Sequence, residues 1–479
     1  MNAKENPIIV GLDIGTTKVV AIAGRKNEFG KVEILGFGKA ESAGVSHGVV
    51  MNIEQCIRSI EQAIAKCVES NDALTVKDVY VGIAGQHIKS LQTRGDRVRG
   101  NGEDEIISQR DIDALIRDQY KTYIPAGDQI IDIIPQEFTV DNTAAVLDPI
   151  GMSGVKIGAN FHLITGDRNA IRNIKRCVDK SNLVTKDLVL QPLASAAAVM
   201  NDEDLEAGVA IVDIGGGTTD MAVFYDGTLK HTAVIPYAGV NISNDIRNGL
   251  GVLKAQAEQM KVQFGTALAE EANANAYITI PGLRGLPPKE ISVKNLAHII
   301  QARTTEILDY VVYHLKQVNL DKALYGGIIL TGGGAQMKNI IQLTEYVTGL
   351  GARLGYPNEH LAAGANTEAL NNPMYSTCIG LILRGYHDFE HGKMRYASEG
   401  GNYIDISAEQ PMVMDTSDLI AATPAPTAAP AIEAINTEEH VAAQVEKNRR
   451  RNDRMKRLFD GLKDKFMGLF EEVDDKEMN

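Results

Sequence analysis

The chain opens with two short apolar runs separated by a turn of glycine and threonine. Residues 8–12 are mostly apolar, residues 13–18 read Asp-Ile-Gly-Thr-Thr-Lys, and residues 19–23 are apolar again. Two extended segments joined by such a turn are typical of a β-hairpin. The pattern returns at residues 209–224, where the turn reads Asp-Ile-Gly-Gly-Gly-Thr-Thr-Asp. The repetition predicts two α/β lobes of similar design with a cleft between them.

Other patterns predict the elements around these hairpins. A third glycine turn, Thr-Gly-Gly-Gly-Ala at 331–335, follows an apolar run, and a helix is expected from about Met337. Two further helices are expected over residues 242–264 and 293–318, separated by the Ala/Gly/Pro-rich stretch 272–288. An early helix is predicted because apolar residues recur at helical spacing. Its buried face would carry Ile53, Ile57, Ile60, Ile64 and Cys67.

Residues 86–165 read as a unit inserted into the first lobe. Strands are followed by a helix that Ser108 caps, with Asp111 three residues later, and then by strands around 130–140. Arg94, Arg97 and Arg99 are expected to lie on an exposed hairpin of this unit.

Composition and charge exclude several classes of protein. The 479 residues imply two to four domains, at about 100–200 residues each. A net charge of −14 repels a phosphate backbone, so we expect no nucleic-acid partner. The sequence shows neither a signal peptide nor a run of about 18 apolar residues. Its four cysteines contain no C-x-x-C pair and are expected to be reduced thiols.

Two motif matches are interpreted as coincidental. Residues 44–48 match G-x-S-x-G, but a nucleophile elbow joins a strand directly to a helix, and residues 49–50 look extended. Residues 387–391 match the H-x-x-E-H spacing of zinc enzymes, but no third ligand is marked nearby. A solvated loop between Gly385 and Gly392 is expected there.

The glycine turns carry the main chemical signal. Successive N–H groups of such a turn can point into one concavity that binds phosphate. Asp13 and Asp213 end the strands before two of the turns and are placed to hold Mg²⁺, through water, against the phosphate oxygens. Lys18 adds a positive charge. One such turn can be only a tight hairpin, but three of them, two with matching aspartates, favour a nucleotide site.

The set is neither a Walker loop nor a Rossmann fingerprint. It resembles the nucleotide site of the actin-like ATPase superfamily, which includes sugar kinases and chaperone ATPases. Within that superfamily the sequence resembles the FtsA family of bacterial division proteins, over roughly residues 7–395 and again at the C-terminus. The resemblance implies an actin-like two-lobed α/β fold of duplicated ribonuclease-H-like lobes. It also implies an FtsA-type inserted subdomain, a C-terminal amphipathic helix, and the cofactors ATP and Mg²⁺.

The resemblance also implies roles for individual residues. Residues 13–18 and 213–219 correspond to the two phosphate loops, 191–198 to the first connecting segment, 331–335 to the adenosine segment, and 373–381 to the helix closing the first lobe. The family's glycine pair before the adenosine-side helix is here Ala238-Gly239. The implied nucleotide contacts are Asp13, Gly15, Thr16, Thr17, Lys18, Gly215, Gly216, Gly217, Thr218, Glu258, Lys261, Gly332, Gly333 and Gly334, with Asp13 and Asp213 at the metal.

Gln191 and Asp213 are the catalytic residues that the resemblance implies. Gln191 stands where relatives place the residue that orients the attacking water. Because a neutral amide positions water but is a poor base, we expect at most slow ATP hydrolysis. Residues 302–307 resemble the helix whose arginine and glutamate dock the C-terminal peptide of the tubulin-like protein FtsZ. Arg303 and Glu306 are therefore the implied partner-binding residues.

A stripe of apolar residues lies near the C-terminus, after a low-complexity linker at 421–430. At helical spacing its members fall within an arc of about 120°. Residues 447–465 contain nine basic and three acidic residues, and anionic membrane would attract them. A core helix or a coiled-coil strand is the alternative interpretation. The expected membrane residues are Met455, Leu458, Phe459, Leu462, Phe466, Leu469 and Phe470.

The resulting domain hypothesis assigns every part of the chain. The first lobe is residues 1–85 with 166–200 and 360–396, and the insertion is 86–165. The second lobe is 201–359, of which 240–320 form an FtsZ-docking and adenosine-side subdomain. A disordered linker at 397–452, a membrane-targeting helix at 453–471 and an acidic tip at 472–479 complete the chain.

The function implied is an actin-like ATP-binding division protein at the cytoplasmic face of the membrane. It would polymerise with itself, tether FtsZ filaments to anionic membrane at the septum and recruit later division proteins. A sugar or small-acid kinase would need a committed aspartate base between the lobes. A chaperone ATPase would need a substrate domain after about residue 396, and a pilus or secretion scaffold is disfavoured only by the resemblance of Arg303 and Glu306.

Overall fold

The computed structural model describes residues 6–71, 74–99, 106–281, 287–364 and 367–391. The first glycine hairpin forms as predicted, because two runs rich in β-branched residues pair antiparallel on either side of the turn. The apolar face of the predicted early helix packs on this sheet, and Cys67 is fully buried there. The elements are β1 (Ile9–Ile14), β2 (Lys18–Lys26), β3 (Val32–Glu41), β4 (Val45–Ser46), β5 (Val49–Val50), α1 (Ile53–Glu69) and β6 (Asp78–Ile83).

The two matches to catalytic motifs lie in different kinds of secondary structure, a pair of strands and a helix. Residues 44–48 lie in and between β4 and β5, a short antiparallel pair, so the turn joins two strands and not a strand and a helix. The predicted loop at 387–391 was wrong, because these residues form the last turns of a long helix that ends at His391.

The inserted unit is an antiparallel sheet with one covering helix and its own apolar core around Phe161. The backbone N–H of Ser108 donates to the Asp111 carboxylate at 2.9 Å, which confirms the predicted helix start. Arg99 was wrongly placed on the surface, since it is 8% exposed and its guanidinium donates to two backbone carbonyls. The elements are β7 (Lys89–Val98), α2 (Gln109–Gln119), β8 (Asp128–Val140), β9 (Thr143–Val146) and β10 (Lys156–Asp167).

The chain then returns to the first lobe and completes its sheet. The strand order is β11-β6-β1-β2-β3, with β1, β6 and β11 parallel to one another and β2 antiparallel to its neighbours. The new elements are α3 (Arg168–Lys180), β11 (Val184–Leu190), α4 (Gln191–Val199) and α5 (Asp202–Ala207).

The second glycine hairpin begins the second lobe. A single helix was expected over 242–264, but the structure has two, because Gly251 adopts φ +58° and ends the first of them. The stretch 272–288 contains a strand that was not predicted. The elements are β12 (Val209–Ile214), β13 (Thr219–Tyr225), β14 (Thr228–Ile235), α6 (Gly239–Leu250), α7 (Lys254–Phe264), β15 (Tyr277–Ile280), β16 (Lys289–Ser292) and α8 (Val293–Gln317).

The third glycine turn follows β17 (Gly327–Thr331), which pairs parallel with the central strand β12. The helix expected from about Met337 begins three residues later, after a 3₁₀ turn at Gly334–Gln336. The remaining elements are β17 (Gly327–Thr331), α9 (Ile340–Thr348), β18 (Ala352–Leu354), α10 (Thr367–Leu370) and α11 (Ser376–His391).

The two five-stranded sheets share one design. The second sheet has the order β14-β13-β12-β17-β18, with the antiparallel hairpin at the same place and two parallel strands beyond it. This match confirms the prediction of two similar lobes. The α4 and α11 helices pack against each other, and residues from both help form one apolar core with the first sheet and parts of the second.

The inserted sheet also contacts the second lobe. His162 on β10 approaches Thr232 on β14, with 3.1 Å between Nε2 and Oγ1. Nearby, the Lys230 ammonium lies 2.6 Å from the Glu137 carboxylate. The insertion, which interrupts the chain of the first lobe, is therefore also held to the second lobe.

The remaining sequence predictions concern the cysteines, membrane-spanning helices and the C-terminal segments. All four cysteines are free and buried. Among the helices in the described ranges, none is long and apolar enough to cross a membrane. The predicted linker, amphipathic helix and acidic tip lie outside the described residues.

Candidate functional site

The three glycine turns meet in one cleft between the two lobes. A Cβ on Gly216 would lie 2.5 Å from the Thr17 side chain, and one on Gly217 would overlap Thr16. Glycine is therefore required where the first two turns face each other. The cleft is lined by Asp13, Gly15, Thr16, Thr17, Lys18, Gln191, Asp213, Gly215, Gly216, Gly217, Thr218, Asp220, Gly332, Gly333 and Thr377, among others.

Asp13 and Asp213 lie at the floor of the cleft, each at the end of a central strand. Gln191 donates from Nε2 to Asp13 Oδ1 at 2.8 Å. Burial raises the pKa of Asp13 to about 6, against the opposing effect of the Lys18 charge. Burial also raises the pKa of Asp213, opposed by the hydrogen bond from Ser195 and by Lys18. The site thus concentrates buried acidic groups around one lysine.

The pKa of Lys18 is also shifted from its usual value. Burial lowers the pKa of its ammonium group, and the neighbouring Asp13 and Asp213 carboxylates act in the opposite direction. A phosphate group in the cleft would supply further negative charge to this lysine.

Asp220 is an acidic residue of the cleft that sequence reasoning did not select. Its Oδ2 accepts a hydrogen bond from Thr218 Oγ1 at 2.8 Å, while its buried Oδ1 has no hydrogen-bond partner among the residues that the structure describes. Burial and the nearby Asp213 raise the pKa of Asp220 to about 8. The sequence pattern could have identified it, because Asp213 near the end of β12 and Asp220 near the start of β13 pair across one hairpin.

These residues fit a cation and a phosphate chain. The unpartnered Asp220 oxygen is an acceptor that a hydrated cation would satisfy, and the glycine turns leave room for phosphate next to the backbone. Within the described ranges, no three His, Cys, Asp or Glu side chains lie together so as to hold a metal ion directly. A Mg²⁺ ion would therefore draw most of its ligands from water and phosphate, as it commonly does.

Glu258 and Lys261 lie outside the lining of the cleft and brace the start of α6. Lys261 Nζ donates to the Gly239 carbonyl and to Ser243 Oγ, both at 3.0 Å, and lies 2.8 Å from Glu258 Oε2. The N–H groups of Gly239 and Val240 in turn donate to the second glycine turn. Gly334, also predicted, is not among the residues that line the cleft, and a Cβ at this position would overlap the Ile214 side chain.

Arg303 and Glu306 lie together on α8, away from the cleft. Arg303 donates through Nε and Nη2 to both oxygens of Asp245, at 2.5 and 3.2 Å, and through Nη1 to Glu306 at 2.5 Å. Its guanidinium lies 5.3 Å from the Tyr237 ring centre. The hydrogen bond to Asp245 raises the pKa of Arg303. Asp245, which orients this arginine, was not predicted.

Comparison with known proteins adds independent information. A family model described as "Cell division protein FtsA" matches residues 210–380, and one described as "SHS2 domain inserted in FTSA" matches residues 85–165. FtsA of Pseudomonas aeruginosa is 36% identical over 412 residues, which cover 86% of this chain and 97% of the relative. FtsA of Escherichia coli K12 is 32% identical over 400 residues, covering 82% and 94%.

A solved structure shares the fold at low sequence identity. The PilM-PilN type IV pilus biogenesis complex superposes with a TM-score of 0.58 at 14% identity, over 79% of this chain and 98% of the other. The repeated sheets, this likeness and the match to the inserted domain confirm the predicted actin-like two-lobed class with an insertion. Because relatives above 30% identity align over nearly their whole length, the chain belongs to the FtsA family of actin-like cell-division proteins.

Proposed function

We propose that the cleft binds ATP with Mg²⁺ and that bound nucleotide controls the assembly of this chain into filaments. These filaments would tether FtsZ polymers to the cytoplasmic face of the membrane at the division septum. The observation that carries the proposal is the meeting of three glycine turns with Asp13, Asp213 and Asp220 in one buried cleft.

Each group of the cleft has a role in this proposal. The glycine turns present backbone N–H groups to the phosphates, and Lys18 places a positive charge beside them. Asp13 and Asp213 would hold a Mg²⁺ ion through its water ligands, and the ion would neutralise charge on the phosphate chain. The electrostatic attraction of the cation favours the ionised forms of these buried acids.

Gln191 is the proposed water-positioning residue. Its amide nitrogen is held by Asp13, so its carbonyl oxygen remains to accept a hydrogen bond from water. An amide cannot take the proton of that water at neutral pH, so turnover is slow at most. Nucleotide therefore acts mainly as a switch for assembly.

Nucleotide binding is tested by replacing Asp213 with asparagine, which keeps the shape and removes the charge. Mg²⁺-ATP affinity of the full chain should fall at least about tenfold, because a buried charge that faces the cation is lost. Isothermal titration calorimetry measures the affinity. Thr344→Val, a change on α9 outside the cleft lining, is the control. Unchanged affinity in Asp213→Asn would contradict the proposed site.

Membrane attachment is assigned to the predicted helix at 453–471. One such helix binds weakly, but a filament repeats it, and multivalency converts weak single sites into strong attachment. Co-sedimentation with anionic liposomes should therefore depend on Mg²⁺-ATP and be lost in a chain ending at Glu446. Leu462→Glu with Phe466→Glu should have the same effect. Unchanged sedimentation of the charged variant would refute the assignment.

Arg303 and Glu306 are proposed to dock the C-terminal peptide of FtsZ. Asp245 and Glu306 hold the guanidinium in one orientation while 21% of the arginine side chain stays exposed to a partner. Arg303→Glu would place three carboxylates together and should abolish binding of that peptide in fluorescence anisotropy. Arg303→Lys, which retains the charge but loses the planar fork, should bind with intermediate affinity. Normal affinity of Arg303→Glu would place the docking site elsewhere. Recruitment of later division proteins is the remaining part of the proposed function.

A further inference from the structure

The helix α4 reaches the acidic residues of both lobes from one face. Gln191 and Ser195 are one helical turn apart, so their side chains point the same way. Gln191 Nε2 donates to Asp13 at 2.8 Å, and Ser195 Oγ donates to Asp213 Oδ2 at 2.6 Å. One rigid helix therefore fixes both carboxylates relative to each other.

The helix α11 adds a second hydroxyl at the same carboxylate. Thr377 Oγ1 lies 3.1 Å from Asp213 Oδ2 and 2.9 Å from Ser195 Oγ. The preceding residue, Ser376, lies 2.9 Å from Thr331, which opens the third glycine turn. The Ser195, Ser376 and Thr331 side chains are fully buried, and Thr377 is 7% exposed where it lines the cleft.

The hydroxyl groups of Ser195 and Thr377 share one oxygen of the Asp213 carboxylate. Three contacts join Ser195, Thr377 and Asp213, but the two hydroxyls supply only two protons. When the carboxylate is ionised, both can donate to Oδ2, which leaves Oδ1 to face the third turn. A Cβ on Gly332, whose φ is +85°, would overlap that oxygen. The two hydroxyls thus hold one oxygen of the Asp213 carboxylate and orient the group so that its other oxygen faces the third turn.

The contact between the two helices lies next to this cluster. A Cβ on Gly380 would overlap the Ala194 carbonyl, so the backbones of α4 and α11 touch without an intervening side chain. Ala194 immediately precedes Ser195, and Gly380 lies three residues after Thr377. A change in the crossing of the helices must therefore move the two hydroxyls relative to Asp213.

We propose that Ser195 and Thr377 are positioning residues that orient the Asp213 carboxylate toward a Mg²⁺-nucleotide complex, and that they couple this carboxylate to the α4–α11 crossing. The inference rests on the proposed function of the cleft. It predicts that the hydroxyls contribute to the Mg²⁺-dependent part of nucleotide affinity and not to nucleotide binding in general.

The test measures the affinity of the full chain for a fluorescent ATP analogue. One titration is done in Mg²⁺ and a second in EDTA, which removes the metal ion. Thr377→Val and Ser195→Ala should each weaken binding about tenfold in Mg²⁺, as expected for a lost hydrogen bond to a charged group, and leave binding in EDTA unchanged. Thr377→Ser keeps the hydroxyl and should restore the Mg²⁺ effect. Thr344→Val, the same exchange at another buried helical position, is the matched control.

The outcomes separate the inference from the function on which it rests. If the unmodified chain binds with Mg²⁺ but Thr377→Val behaves like Thr344→Val, the positioning role is overturned. Equal losses in Mg²⁺ and EDTA would also overturn it, since they indicate a general structural defect. Absence of Mg²⁺-dependent binding in the unmodified chain would instead refute the proposed function. Thermal unfolding checks each variant, and Thr377→Val, which keeps the side-chain volume, decides the result if Ser195→Ala does not fold.

Discussion

A buried histidine between the inserted sheet and the second lobe should make folding depend on pH. His162 is 1% exposed, and its Nε2 lies 2.7 Å from Ser90 Oγ and 3.1 Å from Thr232 Oγ1. Burial, with a smaller contribution from the nearby His231, lowers the pKa of His162 from 6.5 to about 4. The folded chain therefore keeps this ring neutral where the unfolded chain protonates it.

Protonation of His162 in the unfolded chain lowers the stability of the folded chain at acidic pH. Between pH 6.5 and pH 4 the unfolded chain binds more protons, so the free energy of unfolding falls as the pH falls. Above pH 6.5 the ring is neutral in both states, so His162 does not affect the free energy of unfolding. Below pH 4 the ring is protonated in both states, and the free energy of unfolding has fallen by about 3 kcal/mol in total. At pH 5 the loss is about 2 kcal/mol, a large part of the ~5–15 kcal/mol that stabilises typical domains.

His162→Gln removes the titrating group and keeps an amide that can bond to the two hydroxyls. The free energy of unfolding is measured at pH 8 and at pH 5 by urea unfolding followed by circular dichroism. Its decrease between these pH values should be about 2 kcal/mol smaller in the variant than in the unmodified chain. Comparing the two pH-dependent losses cancels the contributions of titratable groups that do not interact with His162. Hydrogen exchange at the imidazole carbon, followed by mass spectrometry, measures the pKa of His162 directly. A midpoint near 6.5, or equal losses in both chains, would refute the reasoning.

Three further substitutions test the cleft and the cores. Gly332→Ala should displace the Asp213 carboxylate and weaken Mg²⁺-ATP binding in calorimetry, and normal affinity would contradict the geometry of the third turn. Gly380→Ala should separate α4 from α11 at Ala194 and cost about 1–3 kcal/mol of stability, visible as a lower Tm, whereas an unchanged Tm would show that the helices can shift freely. Phe161→Ala should destabilise the inserted sheet by about 3–5 kcal/mol in urea unfolding, and a loss below 1 kcal/mol would mean that its core is not close-packed.

Local patterns in the sequence were sufficient for the two hairpins and the duplicated lobes. Apolar runs on either side of Gly/Thr turns specify paired strands, and Ser108 with Asp111 specifies a helix start. These features depend on neighbouring residues, whose backbone preferences act within a few positions. The same local reasoning identified Asp13 and Asp213, because each follows a recognisable strand.

Tertiary structure decided which distant side chains meet. Asp213 is held by Thr377, 164 residues away, and the Arg99 guanidinium is held by the carbonyl groups of Gly154 and Ile106, which no local pattern marks. The resemblance implied that Glu258 and Lys261 contact the nucleotide, and tertiary packing places both side chains at the start of α6, which hydrogen-bonds to the second glycine turn. Local sequence determines which residues end a strand or enter a turn. Burial, hydrogen-bond partners and pKa depend on the elements that pack there, because these quantities are set by the surrounding atoms and not by neighbours along the chain.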